Sequence, residues 1–256
     1  MIDAEEPTFI VMPKVKPPDP KHASGWCSTF SAWLQVVING LDNEHDVVIA
    51  VVGSSKHLWG PVGLGKSNVA FVLAKALSLA TAKIFGRENV VPLDLDLSLV
   101  VRDDISGFER ALFERTKYLV IWLDEGFWFF NKQWWSYSDV KVLTPEFVTN
   151  RKELRIWILV LDSIWHMIEF FREGGRVTWL FKCTGKGEVE LWANDGTFDP
   201  DMDRYGMKVA QWNDFPRVPE GPWENDYRRR VGDHDCKRRG SKCVINLRKS
   251  GGGGSR

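Results

Sequence analysis

The chain has little that would let it be stapled, secreted or buried in lipid. It has only four cysteines in 256 residues, Cys27, Cys183, Cys236 and Cys243. Their scattered spacing points to free thiols and not to a disulfide framework. His234 clusters with Cys236 and Cys243, but that spacing matches no common zinc module. No uninterrupted apolar run approaches the about 18 residues a membrane span needs, so no span is expected. The N-terminus lacks a basic stretch followed by an apolar core, which leaves a cytoplasmic location as the expectation, host cytoplasm for a viral chain. Internal repeats are missing too. Net charge is zero, with 34 basic and 34 acidic residues.

What is present is an ordinary soluble composition, 44% hydrophobic and 27% charged, with an unusual 13 tryptophans. Those rings are expected to fill the core or subunit contacts. The charge is unevenly placed. Residues 204–256 hold 13 Lys/Arg against 6 Asp/Glu, including Arg228–Arg230, Lys237–Arg239 and Arg248-Lys249. Such a basic end can track a phosphate backbone; a solvated tail is the alternative.

One octapeptide stands out: Gly60, Pro61, Val62, Gly63, Leu64, Gly65, Lys66 and Ser67, followed by Asn68. It fits the phosphate-binding template G-x-x-x-x-G-K-[ST]. Glycines let backbone N–H groups turn inward around phosphate oxygens. Lys66 brings a point charge to the β- and γ-phosphates, and the Ser67 hydroxyl can ligate Mg²⁺. A helix starting here directs its positive end at the same anion. The flanks agree: Val47–Val52 reads as an apolar strand, and Ser67–Phe85 as a helix with Ala70, Phe71, Leu73, Ala74, Leu77 and Ile84 available for a buried face. Gly53–Trp59 is a longer connection into the loop than usual.

Along the rest of the chain, residues 1–25 read as an irregular N-terminal arm and Trp26–Leu41 as a helix. Asn89–Val101 suggests a strand or hairpin, and Asp104–Lys117 a helix. Tyr118–Leu123 is an apolar strand ending on Asp124-Glu125, and Ile156–Leu161 another ending on Asp162-Ser163. Ile164–Arg172 looks helical. Val177–Lys182 and Val189–Trp192 suggest a hairpin through Gly185-Lys186-Gly187, and beyond Asn194 the pattern fades. The domains expected are thus the arm at 1–25, a nucleotide-binding domain at 26–203, a basic irregular region at 204–249 and a flexible Gly-rich tail at 250–256.

The strand ending in Asp124-Glu125 adds chemistry. Asp124 can hold the hydration shell of Mg²⁺ opposite Ser67, and Glu125 can polarise water for attack on the γ-phosphate. Asp162-Ser163 stands where a γ-phosphate sensor is placed, at the end of the next strand, although an amide is usual there; a helix N-cap is the other reading. Arg151 is the preferred arginine finger, with Arg176 next and Arg155 and Arg172 behind. No Asn/Thr-Lys-x-Asp guanine-reading motif is evident, so ATP is the expected nucleotide.

The strings YLVIWLDEGFWFFNKQWWS, TNRKELRIWILVLDS and FREGGRVTWLFK resemble the motor ATPases of the FtsK/HerA group. The nearest likeness is to phage, plasmid and archaeal-virus members of the zonula occludens toxin-like and packaging types. The resemblance spans roughly Asp46 to Trp192, with Gly126 standing where a small Ala is common. It implies an α/β RecA-like P-loop NTPase with a central, mostly parallel sheet, helices on both faces and a C-terminal β-hairpin. It also implies an oligomeric ring coupling ATP hydrolysis to DNA movement, for packaging or transfer by a virus, phage or mobile element. Two other classes remain: a nucleotide-dependent switch or assembly protein with protein partners, suggested by the aromatic stretch Phe127–Trp135, and a small-molecule kinase, against which Glu125 argues.

Overall fold

The computed structural model describes residues 30–54, 64–84, 113, 117–123, 154–167, 169–173 and 176–216. The arm at 1–25, the segments 89–101 and 217–256, and all of 104–117 except Phe113 and Lys117 lie outside them.

Sequence and burial together explain the central strand. In β1 (Val47–Gly53) all seven residues are buried, as expected for a β-branched run enclosed on both faces. It pairs in parallel with β3 (Ile156–Leu161) on one side, Val47 opposite Ile156 and Val52 opposite Leu161. On its other side it pairs in parallel with β4 (Trp179–Gly185), Gly53 opposite Cys183. The short β2 (Val120–Leu123) joins the far side of β3, also in parallel. Two antiparallel strands, β5 (Glu188–Asp199) and β6 (Arg204–Trp212), extend the sheet beyond β4. The result is a mixed α/β sheet of six strands in the order β2-β3-β1-β4-β5-β6.

Alternate residues of each strand separate two cores. On one face Val47, Ile49, Val51, Trp122, Ile158 and Phe181 pack with two helices, α1 (Phe30–Asp42) and α2 (Lys66–Ile84). Helix α1 contributes Phe30, Trp33, Val37, Ile38 and Leu41, a stripe at helical spacing. On the other face Val48, Ala50, Val52, Leu159 and Leu161 pack under Ile164 of the 3₁₀ turn Ile164–His166, Phe171 of the short α3 (Glu169–Glu173), and Tyr205 of β6. The single helix expected over Ile164–Arg172 is thus two short pieces, interrupted at Met167 by extended backbone (φ −66°, ψ 148°). Among the described residues no helix is long and apolar enough to cross a membrane.

The C-terminal end differs most from expectation. A strand occupies Arg204–Trp212, so the sheet runs past the boundary expected at 203/204 and those residues are not irregular. Three features blur its sequence signal. Gly206 interrupts the apolar pattern, and the β5–β6 register shifts between Leu191 and Trp192 and again between Ala193 and Phe198. In addition, polar residues in β6 make ladder contacts: Lys208 Nζ lies 2.7 Å from both Glu190 Oε1 and Gln211 Oε1. The strand's buried end joins an aromatic cluster in which Trp33 meets Phe181 edge-on at 4.9 Å and Trp212 stacks on Phe181 at 6.1 Å.

Gly206 has φ +72°, and a Cβ there would sit 2.0 Å from the Ala193 carbonyl oxygen. Gly206→Ala should therefore part β5 from β6 and lower stability by about 2–5 kcal/mol, from left-handed strain plus overpacking. Urea denaturation checks this, and a loss under about 0.5 kcal/mol, the range of neutral surface changes, would show that the strand pair relaxes freely.

Candidate functional site

Because β1, β2, β3 and β4 run parallel, their carboxyl ends share one edge of the sheet, the edge where open α/β sheets bind ligands. Gly53 ends β1 there, with Cys183 of β4 opposite it and the Ser54 N–H donating to the Cys183 carbonyl at 2.9 Å. On the other side of β1, Asp162 follows Leu161, which pairs with Val52.

The end of the glycine loop enters this edge. Leu64 is buried, and Gly65 has φ +83° with open space around its missing Cβ, so its conformation and not crowding calls for glycine. Helix α2 begins at Lys66, its first full bond running from Val69 N–H to the Gly65 carbonyl at 3.0 Å. No acidic residue stands in its first turn. Asn68, one turn in, donates from Nδ2 to the Pro216 carbonyl at 3.3 Å, tying the helix start to the chain beyond β6.

Lys66 Nζ lies 2.5 Å from Asp162 Oδ1, an ion pair across the edge. The lysine side chain is 14% exposed and the aspartate 53%. Ser163 is the N-cap of the 3₁₀ turn, its Oγ accepting from Trp165 N–H at 3.2 Å. The two expected sensor residues therefore part ways: Asp162 faces Lys66, while Ser163 takes the capping role that was the other reading of this pair.

Of the other sequence-predicted residues, Ser67 and Asn68 are half-buried in the first turn of α2. Gly60, Pro61, Val62, Gly63, Asp124, Glu125 and Arg151 lie outside the described residues, as do His234, Cys236 and Cys243. Strand β2, which precedes Asp124-Glu125, is not the immediate neighbour of β1; β3 lies between them.

Arg155 and Arg176 do not suit the finger role. Both are buried, at 1% and 7% exposure, and both sit at the amino ends of strands. Arg176 pairs with Asp46 just before β1, its NH1 3.4 Å from Asp46 Oδ2. That is a strand length, on the order of 20 Å, from the carboxyl edge. A guanidinium held inside its own subunit is not offered to a neighbour. Arg172 stacks over the Trp165 ring at 5.3 Å and donates to its carbonyl at 3.3 Å.

Two features escaped the sequence reading. The first is the full burial, beside β1, of Cys183, whose expected free thiol is present. Burial pushes its thiol from 9.0 up to about 12, against the pull of the nearby Lys66 charge. The second is a buried polar bridge beneath Asp162-Ser163. Lys182 Nζ lies 2.6 Å from Asp203 Oδ2 and also donates to the Asp203 carbonyl at 2.9 Å. Asp203 Oδ1 in turn accepts from Trp165 Nε1 at 2.8 Å. A lysine in the middle of an apolar strand was the available signal, since such a charge needs a partner once buried. Tyr205 reinforces this side: its hydroxyl lies 3.0 Å from both the Arg172 and Val177 carbonyl oxygens and accepts from Asn194 Nδ2 at 3.2 Å.

The chain matches no family model, no curated protein and no solved structure.

Two outcomes are expected. Since the fold favours the neutral Cys183 thiol, its contribution to stability is complete below pH 9 and is lost as pH rises from 9 to about 12. Iodoacetamide followed by peptide mapping at pH 8 should leave Cys183 unmodified until denaturant is added; modification in the native protein would contradict its burial. Asp203→Ala, which strands the Lys182 charge, should lower unfolding free energy by about 3–5 kcal/mol. A loss below about 1 kcal/mol in urea titration would mean that the pair behaves as a solvated surface bridge.

Proposed function

We propose that this chain is a Mg²⁺-dependent P-loop ATPase of RecA-like type, working as an oligomeric motor that moves or packages DNA for a virus, phage or mobile element. The single observation that carries the nucleotide reading is the octapeptide Gly60–Ser67 between a buried parallel strand and helix α2, with Lys66 at the carboxyl edge of the sheet. Strand, glycine loop and helix is the arrangement in which backbone N–H groups and a helix N-terminus can hold phosphate.

The residues present suit a triphosphate and its metal. Gly65 adopts a backbone that side chains disfavour, Lys66 supplies the cation, and the first turn of α2 brings no acidic side chain of its own against an anion. Lys66 would bind the β- and γ-phosphates, and the loop N–H groups would orient them. Ser67 and Asp124 are the residues that would hold Mg²⁺, which supplies charge neutralisation on the phosphate oxygens. Glu125 would orient the attacking water and accept its proton, and Arg151 would stabilise charge on a neighbouring subunit's γ-phosphate. Strand order also supports the reading. With β3 between β1 and β2, the loop strand and the strand leading to Asp124-Glu125 stand two spacings apart, about 10 Å, room for the γ-phosphate and a water. The DNA-motor part rests on the resemblance and on the basic region after residue 216.

The test is ATP hydrolysis by the purified chain with and without duplex DNA, beside Glu125→Gln. Turnover stimulated by DNA, weakened by salt and reduced about 100-fold or more in Glu125→Gln is the expected outcome. Turnover indifferent to DNA would reassign the chain to a nucleotide-dependent switch or assembly protein, and transfer of phosphate to a small molecule would make it a kinase.

A further inference from the structure

The ion pair at the carboxyl edge bears on what the glycine loop can bind. Lys66 is the only cation of the octapeptide, and its amine faces a carboxylate 2.5 Å away. Among the described residues, Lys66 is the partner found for the Asp162 carboxylate. The backbone beneath Asp162 is fixed. Leu161 is laddered to Val52, Ser163 caps the 3₁₀ turn, and Trp165 is bonded to Asp203, itself held by Lys182. Asp162 therefore cannot drift away as a segment; only its half-exposed side chain can swing aside.

We infer that Asp162 sets the anion selectivity of the phosphate loop, by holding the Lys66 amine against any anion too weak to displace a carboxylate. This deepens the nucleotide reading and rests on it. An amide at this position would leave the lysine charge uncompensated, because a neutral acceptor can bond the ammonium but brings no opposite charge to it. With aspartate, an incoming anion must displace the pair and tolerate a negative charge beside its own. A single inorganic phosphate or pyrophosphate recovers little of that. A Mg²⁺-bound triphosphate recovers it, since its metal neutralises part of the charge and its chain of phosphates meets the loop N–H groups as well. A ligand that needs the Lys66 amine and cannot displace the carboxylate has its apparent affinity reduced to the fraction of molecules in which Lys66 is free of the pair.

The test is equilibrium binding of a fluorescent, non-hydrolysable ATP analogue with Mg²⁺ to the full chain and to Asp162→Asn, with inorganic phosphate, pyrophosphate and AMP as competitors. Asp162→Asn should bind the analogue about two- to fivefold tighter, the scale on which an exposed ion pair is released. Phosphate and pyrophosphate should gain by a larger factor than the analogue, which is the loss of selectivity, while AMP, which lacks the β- and γ-phosphates, should not change. Equal or weaker binding by Asp162→Asn, with the unsubstituted chain still binding, overturns the role of Asp162 and leaves the nucleotide reading in place. Absence of binding in both proteins, each shown to be folded by its thermal transition, overturns both. Asp162→Ala carries the same expectation and covers the case in which the asparagine variant does not fold.

Discussion

Strand β1 is hydrogen-bonded along both edges and covered on both faces, and the arrangement of the carboxyl edge follows from that double enclosure. Each fully buried Val or Ile contributes about 1.5–3 kcal/mol on transfer from water, so the strand has no alternative register that keeps its side chains dry. Register is what makes the edge useful. Once Val52 is opposite Leu161 and Gly53 opposite Cys183, the residues following β1 and β3 emerge side by side. Lys66 and Asp162, 96 positions apart in sequence, meet at that edge.

The antiparallel half of the sheet serves the same edge from below. The β5–β6 turn delivers Asp203 onto Lys182, and the remaining oxygen of Asp203 grips Trp165. That bridge fastens the 3₁₀ turn behind Asp162-Ser163 to the turn between β5 and β6. The aromatic cluster of Phe30, Trp33, Phe181, Trp212 and Phe215 does the equivalent work on the opposite face, locking α1 against β4 and the end of β6.

Much of this architecture was legible in the sequence where one residue pattern served one purpose. The apolar runs Val47–Val52 and Ile156–Leu161 could only be enclosed strands, and the stripe of α1 and the start of α2 followed from spacing and from the glycine template. Strand β6 was not legible, because Gly206 is placed there by a close backbone approach and Lys208 by a cross-strand bond, so its residues answer to neighbours in space. The same holds at the site. The template points to Lys66 and Ser67, and position points to Asp162, but nothing local tells that Asp162 faces the lysine while Ser163 caps a turn. Arg155 and Arg176 stood among the finger candidates because their burial depends on where strands begin, which sequence alone does not measure.

The hydrogen bond from Asn68 to Pro216 spans 148 positions, and the edge it completes also joins residues 96 positions apart. Contacts of such sequence separation form late, since loop closure must precede any gain from them. During synthesis, the loop and the first turn of α2 are made long before the strands that flank and fasten them. The carboxyl edge thus reaches its final form only after translation has passed Pro216, so a chain arrested or truncated before that point would carry the whole octapeptide without its last anchor.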